Sequence, residues 1–191
     1  MQSKPIVVAL TATILGLPSA FAQDNTTTAP ESAEEAVTPT PGETYLAEEH
    51  GAWELRCMAV EEGPEPCQLY QVLNDEGGGA VAEIVVFPLP DGEEAAAGAI
   101  VTTPLETLLT EQVAISVDGN DGRLYPFSFC AEQGCVARIG LTPEDLNGFR
   151  RGNEARVRIV PARAPDREVI LTASLSGFTA GFTAIGVRSG N

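Results

Sequence analysis

The sequence is poor in the residues that most catalytic and metal sites require. It contains one histidine, His50, four cysteines and one tryptophan, and its only lysine is Lys4. A lone histidine cannot supply the paired ligands of a histidine-based zinc site, and it leaves only one candidate base for a serine nucleophile. The cysteines also lack the C-x-x-C spacing of a thioredoxin-like centre. These shortages argue against metal, redox and triad chemistry.

Positive charge is scarce and unevenly distributed. The chain has 27 acidic and 11 basic residues, a net charge of −16, and the stretch from Asp24 to Asp121 holds 21 acids against one arginine. Nucleic acids and anionic membranes both need clustered positive charge, so neither is an expected partner. The arginines between Arg150 and Arg167 are the one exception. Their simplest role is to pair with acids of the same fold or to lie solvated on strand faces.

Long apolar runs are also missing beyond the first residues. The run from Ile6 to Leu17 is shorter than the roughly 20 residues that span a bilayer, and it is followed by Ala20-Phe21-Ala22, a small-x-small cleavage pattern. We therefore predict a signal peptide at 1–22, with a retained membrane anchor as the alternative. Cleavage would leave a mature chain that begins at Gln23 and is periplasmic, secreted or surface-associated, without a membrane-spanning segment.

Composition divides the rest of the chain into two parts. Residues 23–44 are rich in threonine, proline, alanine and glutamate, with one isolated valine, so they are predicted to form a disordered acidic tether. Residues 45–191 carry the apolar patterning of a single domain.

Strand patterns dominate the predicted domain. Trp53, Leu55 and Cys57 alternate with polar residues, and further short apolar stretches are separated by turns rich in glycine and proline. Thr142 followed by Pro143 predicts the start of a short helix. The residues after Ser176 favour a second helix, although a strand is the alternative. The sequence thus predicts a mainly β, antiparallel sandwich or barrel-like fold with one or two short helices.

The cysteines are expected to form disulfides, because an exported chain meets an oxidising compartment. Four cysteines allow three connectivities, and sequence alone does not choose between them. Local spacing favours Cys57–Cys67 and Cys130–Cys135, and the latter pair would face each other across a tight hairpin.

Other motifs favour structural roles. Residues 118–122, Asp-Gly-Asn-Asp-Gly, resemble the start of a calcium loop but lack its later ligands, so a hairpin turn is preferred. Ser174 and Ser176 have no base candidate except the distant His50, and adjacent acids such as Glu61 and Glu62 are typical of solvated surface. We predict no enzyme, no catalytic residue, no metal and no cofactor.

Three aromatic residues form the one candidate ligand face. Tyr125, Phe127 and Phe129 share one parity of a predicted strand that runs from Leu124 to Cys130. Aromatic side chains on strands are more often core residues. If these three point outward, they would form an apolar surface able to hold a ligand.

The order of several motifs resembles that of one family of exported bacterial proteins. The pattern combines Trp53-x3-Cys57, Cys67-x-Leu69-x-Gln71, Phe127-x2-Cys130 with Gly134-Cys135, and Ser174-Leu175-x-Gly177-Phe178. Together these segments resemble the invasion-associated locus B (IalB) family over residues 53–185. The chain departs from the family pattern at Glu106 and Gln112, where glycine is usual, and at Gly181, where alanine is common.

The resemblance implies a periplasmic or surface-associated protein of the alphaproteobacterial type, and some members are linked to host-cell invasion or attachment. It supplies no catalytic residues. The leading hypothesis is therefore a non-enzymatic binding or structural module of the cell envelope whose partner is an envelope or host-surface protein or glycan. A periplasmic carrier of a small ligand or lipid inside the β fold is the alternative, and a hydrolase that uses acidic residues alone is the third.

Overall fold

The computed structural model describes residues 39–90 and 93–189, with the backbone alone for Ser189. The predicted signal peptide and most of the predicted tether lie outside these residues. Within them, the strands and helices are β1 Thr44–His50, β2 Trp53–Met58, β3 Cys67–Asn74, β4 Ala80–Pro88, β5 Ala97–Thr103, β6 Val113–Val117, β7 Arg123–Tyr125, β8 Phe127–Ala131, β9 Gly134–Leu141, α1 Pro143–Arg151, β10 Glu154–Ile159, β11 Val169–Ser174 and α2 Phe178–Ser189.

The strands form one antiparallel sheet that curls into a nearly closed barrel. Along its main path the order is β7-β6-β10-β11-β3-β4-β5-β9-β8, and β2 and β1 branch from β3. The mainly β, barrel-like prediction is confirmed, and both helices predicted from the sequence are present.

Alternation along the strands places apolar side chains inside the barrel. On β3, Leu69 and Leu73 are fully buried, whereas Tyr70 and Val72 between them point outward. Leu146 and Phe149 of α1 and Phe178 and Ile185 of α2 join the same core. The inside of the barrel is therefore filled by side chains.

One prediction about the strands needs correction, and one strand was not predicted. The stretch from Leu124 to Cys130 is two strands, β7 and β8, because Pro126 lies between them and has no backbone N–H to donate to a ladder. In addition, Thr44–His50 forms β1, a strand that the sequence analysis did not assign. Its alternation is weak because Ala47 and Glu48 are adjacent half-buried residues, at an irregularity in the pairing with β2.

Both predicted disulfides are present and join neighbouring strands. Cys57 and Cys67 are direct partners on β2 and β3, with their Cα atoms 4.1 Å apart. Cys130 and Cys135 are partners on β8 and β9, 4.0 Å apart, and close the hairpin. Each bond therefore fastens a single strand pair rather than bridging distant parts of the fold.

Gln71 occupies the point where the sheet branches. The N-terminal part of β3 pairs with β2, whereas its last residue pairs with β11. The buried side-chain amide of Gln71 donates to the carbonyl oxygens of Ala52 and Ser174, both at 3.0 Å, and accepts from the Ser174 backbone N–H at 2.8 Å. One side chain thus joins the segment before β2 to the end of β11 and satisfies backbone groups that have no strand partner there.

An aromatic cluster packs against the same junction. The Trp53 Nε1 atom donates to the Ser174 carbonyl oxygen at 2.8 Å, and the Trp53 ring meets Phe178 edge-on, with centroids 5.2 Å apart. Phe178 also packs on Phe149 of α1 at 5.4 Å. The cluster is buried and couples both helices to the branch.

Close backbone approach explains the glycine of the Ser174-Leu175-x-Gly177-Phe178 motif. Gly177 has a φ of +85°, and a Cβ atom there would overlap the carbonyl oxygen of His50. The β1–β2 turn also contacts the segment before Gly177, because the Ala52 N–H donates to the Ser176 carbonyl oxygen at 3.1 Å. Only glycine allows this contact without displacing one of the two segments.

The last turn of α2 is fixed to β1 by charge. Arg188 donates to Glu48 Oε1 through two nitrogens, at 2.9 and 3.1 Å, and this contact is the main reason that the pKa of Glu48 is lowered. His50 lies in the same group, with Nε2 3.0 Å from Glu48 Oε2 but without hydrogen-bond geometry. The single histidine therefore belongs to the packing of β1 against α2.

We expect Gln71→Met to destabilise the fold by roughly 2–3 kcal/mol, because it keeps the side-chain length but leaves the Ser174 N–H and the Ala52 carbonyl without their partner. Urea unfolding measures the change as a shift in midpoint. Gln68→Met, the same substitution at a half-buried, outward position of the same strand, serves as the control and should cost much less. Equal losses for the two variants would contradict the role given to Gln71.

The turn before β6 contains a residue in an unfavourable backbone conformation. Gln112 has a φ of 57° and a ψ of 171°, a region that glycine readily adopts and other residues avoid. This is one of the positions where the chain departs from the family pattern by lacking glycine. The turn therefore holds glutamine in a conformation that suits glycine better.

Gln112→Gly should stabilise the protein by about 1 kcal/mol, because relief of the backbone strain exceeds the added freedom of the unfolded chain. Thermal unfolding at fixed pH measures the effect. Gln133, which is not among the positive-φ residues, provides the control, since Gln133→Gly should be neutral or destabilising. A loss of stability in Gln112→Gly would show that the turn is not strained.

Candidate functional site

The barrel is left open where the two ends of its strand path meet. β7 and β8 are these ends, and Pro126 alone separates them along the chain. The pairing of β8 with β9 begins at Ala137, so the end of β9, from Arg138 to Leu141, pairs with β5 on one side and with no described strand on the other. We call this opening, between β7 and the end of β9, the seam.

A cleft of about 300 Å³ lies at the seam, between the β6–β7 hairpin and α1. Its deep surface is apolar and comes from Ile115, Leu141 and Phe149, all nearly or fully buried. Its rim is polar and charged. The rim residues are Ser116, Asn120, Asp121, Arg123, Tyr125, Glu144 and Asp145.

Asp145 connects the cleft to the start of α1. Its carboxylate accepts the backbone N–H of Thr142 at 2.9 Å, while its own N–H donates to Thr142 Oγ1 at 3.2 Å, which forms a capping box. The same carboxylate accepts from Arg123 of β7 at 3.1 Å. Because these contacts occupy it, Asp145 fixes the helix and the hairpin relative to each other and is poorly suited to act as a base.

Tyr125 contributes a half-buried hydroxyl to the rim. Burial is the main cause of its raised pKa, the negative charge of Asp145 raises the pKa further, and Arg123 acts in the opposite direction. The phenol therefore stays protonated at neutral pH and is able to donate a hydrogen bond to a bound group.

The structure places the three predicted ligand-face residues at the seam but in different environments. Tyr125 lines the cleft, and both Tyr125 and Phe127 pack partly against the core. Phe129 points the other way, because the pairing register shifts between Phe127 and Phe129, and it is 45 % exposed. That these residues bind a ligand stays a prediction.

Phe129 continues an apolar surface on the outside of the barrel. Cross-strand pairs lead from Phe129 through Val136, Thr102 and Glu83 to Val72, which is 39 % exposed. A neighbouring row on the same side runs across the strands from Tyr70 to Arg138. We call this surface the outer apolar face; its apolar members are Tyr70, Val72, Val85, Ile100, Phe129 and Val136.

The sequence contained a signal for this face. The stretch from Val81 to Phe87 is apolar at both parities, with Glu83 as its only charge, and reads as a strand buried on both sides. In the barrel, one parity fills the core and the other, with Val85, faces outward. The apolar residues of this stretch that do not enter the core therefore belong to the outer apolar face.

Comparison with known proteins agrees with the resemblance seen in the motifs. The family model described as "Invasion associated locus B (IalB) protein" matches residues 53–186. The chain belongs to the IalB family. Its fold is similar to that in the crystal structure of invasion associated protein B from Bartonella henselae, with a TM-score of 0.62 and 21 % identity over 75 % of this chain and 96 % of that one. The comparison with curated proteins found no match.

One group of the IalB-like motif residues lies at the branch of the sheet, and another, Phe127, Cys130, Gly134 and Cys135, lies on β8 and β9. Trp53, Gln71, Ser174, Gly177 and Phe178 all make the contacts described for that junction. Gly181, where alanine is common in the family, allows α2 to approach closely, because a Cβ atom there would lie 2.7 Å from Leu69 Cδ2. The motif residues at the branch thus hold the barrel together.

Most of the arginines lie beside acids, as their simplest role requires. Arg156, Arg158 and Arg163 each contact a glutamate at 2.6–3.1 Å. Across the described residues, Arg138 is one of the few arginines without a carboxylate within 4.0 Å; its guanidinium instead lies 5.3 Å from the centre of the Phe129 ring. The others are Arg150, Arg151 and Arg167.

The remaining candidates for chemistry have structural contacts. Asp118 accepts the backbone N–H groups of Asn153 and Glu154, so its carboxylate ties the predicted turn to the start of β10. Cys57, Cys67 and Glu65 are close enough to hold a metal ion, but both sulfur atoms are bonded to each other. Neither helix among residues 39–90 and 93–189 is long and apolar enough to cross a membrane.

Removal of the Asp145 charge should destabilise the protein more than removal of the neighbouring Glu144 charge. Asp145→Asn weakens the capping box and the contact with Arg123, at a cost of about 1 kcal/mol. Glu144→Gln removes a 90 % exposed side chain 4.0 Å from Arg123, where a surface pair contributes about 0–0.5 kcal/mol. Urea unfolding of both variants at pH 7 measures the difference. A larger loss for Glu144→Gln would be incompatible with this account of the cleft.

Proposed function

We propose that this IalB-family protein is a non-enzymatic binding module of the cell envelope, and that it binds its partner at β8 and the outer apolar face. One observation carries the proposal: β8 ends the sheet and exposes Ser128, Phe129, Cys130 and Ala131, and it continues the outer apolar face of the barrel. Exposed apolar surface beside an open strand edge is typical of sites that bind other macromolecules.

The rest of the molecule suits a rigid scaffold for such a site. The inside of the barrel is filled by core side chains. One disulfide holds β2 to β3 and the other holds β8 to β9. A carrier would need room inside the barrel, so no observation favours the alternative of a small-ligand or lipid carrier. At the cleft rim, the Asp145 carboxylate accepts from Arg123 and from the Thr142 backbone N–H, contacts that hold α1 against the β6–β7 hairpin.

The proposal includes the route to the envelope. Residues 1–22 would direct export, residues 23–44 would form an acidic tether and residues 45–191 the binding domain, which would act in the periplasm or at the cell surface. Four cysteines paired in two disulfides are typical of proteins that mature in an oxidising compartment. Attachment to or invasion of a host cell, which the family name suggests, would be one use of such a module.

Site-specific photo-crosslinking in intact cells tests this function. Replacement of Phe129 by p-benzoylphenylalanine should yield a discrete adduct on illumination, whereas the same replacement of Thr172, exposed on β11 away from β8, should not. Mass spectrometry of the adduct distinguishes a protein from a glycan. Equal labelling at the two positions, or no adduct at either, would count against a binding module at β8.

A further inference from the structure

Among the described strands, β1, β7 and β8 lie at the ends of the sheet, and the edges of β1 and β7 are protected. β1 carries Glu48 and Glu49 and an irregularity in its pairing. β7 is three residues long, begins with Arg123 and is followed by Pro126. Charges, irregular pairing, prolines and short strands are the usual means by which proteins prevent an edge from pairing with another chain.

β8 has Pro126 before it and a register shift between Phe127 and Phe129, but it lacks the charges that protect β1 and β7. Its five residues, Phe-Ser-Phe-Cys-Ala from Phe127 to Ala131, include no charge and no proline, and four of the five are exposed. β9 is its only partner among the described strands. An uncharged and exposed edge strand is suited to receive an additional strand.

The backbone of β8 presents hydrogen-bonding groups toward this free edge. The Cα atoms of Cys130 and Cys135 are 4.0 Å apart, close to the roughly 4.5 Å typical of a pair that does not exchange backbone hydrogen bonds and well below the roughly 5.5 Å of one that does. The N–H and C=O groups of Cys130 therefore point away from β9. The disulfide holds this strand in place, so the edge is formed before any partner arrives.

The side chains beside the edge determine which partner fits. On the outer face, Phe129 is 45 % exposed, and Arg138 lies beside its ring without a carboxylate within 4.0 Å among the described residues. Of the arginines without such a partner, Arg138 is the one that lies beside the exposed ring of β8. Apolar and positive groups next to each other complement a strand that carries an apolar residue and a carboxylate on the same side.

We propose that an extended, acidic segment of a partner protein binds along β8 as an added strand, with an apolar side chain on Phe129 and a carboxylate on Arg138. The added strand would lie about 5 Å from β8 on its free side, and β9 lies one strand spacing from β8 on the other side. Arginine and glutamate side chains together span the distance from the added strand to β9. This inference rests on the binding function proposed above and specifies the chemistry of the partner.

A second copy of this chain fits the edge less well. Antiparallel pairing of two β8 strands about Phe129 would bring the two Arg138 side chains onto the same outer face, and β8 itself has no carboxylate to pair with either of them. Each Arg138 would therefore stay without a partner on the added strand. An acidic segment on another protein meets a local positive charge instead.

Peptide titration of the oxidised, full mature protein tests the proposal. The probe is the seven-residue peptide Thr-Glu-Thr-Val-Thr-Glu-Thr. Its binding is measured by nuclear magnetic resonance of the labelled backbone amides of the protein. We expect shifts concentrated at residues 128–131. The same peptide with lysine in place of glutamate should bind at least fivefold more weakly, and a peptide methylated at its backbone nitrogens should not bind, because strand addition needs its N–H groups.

Matched variants locate the contacts. Arg138→Glu should weaken binding of the acidic peptide by about three- to tenfold, in line with the loss of one ion pair and its replacement by repulsion. Arg167→Glu makes the same charge change at another exposed arginine and should alter binding less than twofold. Phe129→Ser should also weaken binding, whereas Leu109→Ser, at a side chain of similar exposure, should not. Circular dichroism and thermal unfolding verify that each variant is folded.

Several results would overturn the proposal. These are the absence of shifts at millimolar peptide, shifts outside β8, equal binding of the lysine peptide, and equal effects of Arg138→Glu and Arg167→Glu. Shifts at residues 128–131 that depend on protein concentration without peptide would assign the edge to a second copy. An adduct at position 129 in cells together with no peptide binding would leave the binding function intact and reject only the acidic strand, so the two failures are distinguishable.

Discussion

The amide of Gln71 is the interaction on which the architecture depends. A barrel strand ordinarily has one neighbour on each side, but β3 has β2 and β11 on the same side, and their ends leave backbone groups that no ladder can pair. Gln71 fills that role with one acceptor and both donors of its side chain. Since Trp53 adds a hydrogen bond to the same carbonyl of Ser174, polar and aromatic contacts converge on a single junction. Both helices, the β1–β2 turn and the end of β11 are positioned by it.

This arrangement separates what holds the fold from what is available for binding. The contacts of Gln71 and Trp53 at the junction and the two disulfides hold the barrel, and loss of these contacts costs the most stability. The seam and the outer apolar face lie on the surface and make few such contacts. Exposed side chains such as Phe129 and Val72 are therefore accessible without a change to the contacts that hold the barrel.

Much of the fold was accessible from sequence, because its signals are local. Alternation around Trp53 and Cys67 gave strands, Thr142 and Pro143 gave the start of α1, and the spacing of Cys130 and Cys135 gave a hairpin. The branch could not be predicted, because Gln71 and Ser174 are 103 residues apart and no feature of the neighbouring sequence indicates their contact. The candidate site was found only in part. Tyr125, Phe127 and Phe129 were predicted to share one candidate ligand face, but the interruption at Pro126 and the register shift in β8 determine which way each one points.

The sequence separations of these contacts also set an order of folding. The disulfide partners are 10 and 5 residues apart, so their loops close at little entropic cost and can form early. The contact between Gln71 and Ser174 must wait until nearly the whole chain is available, because it closes a loop of 103 residues. Until then the first strands have no partner at the branch and expose apolar surface. Such a chain is most vulnerable to aggregation during the interval between the closing of its hairpins and the arrival of β11.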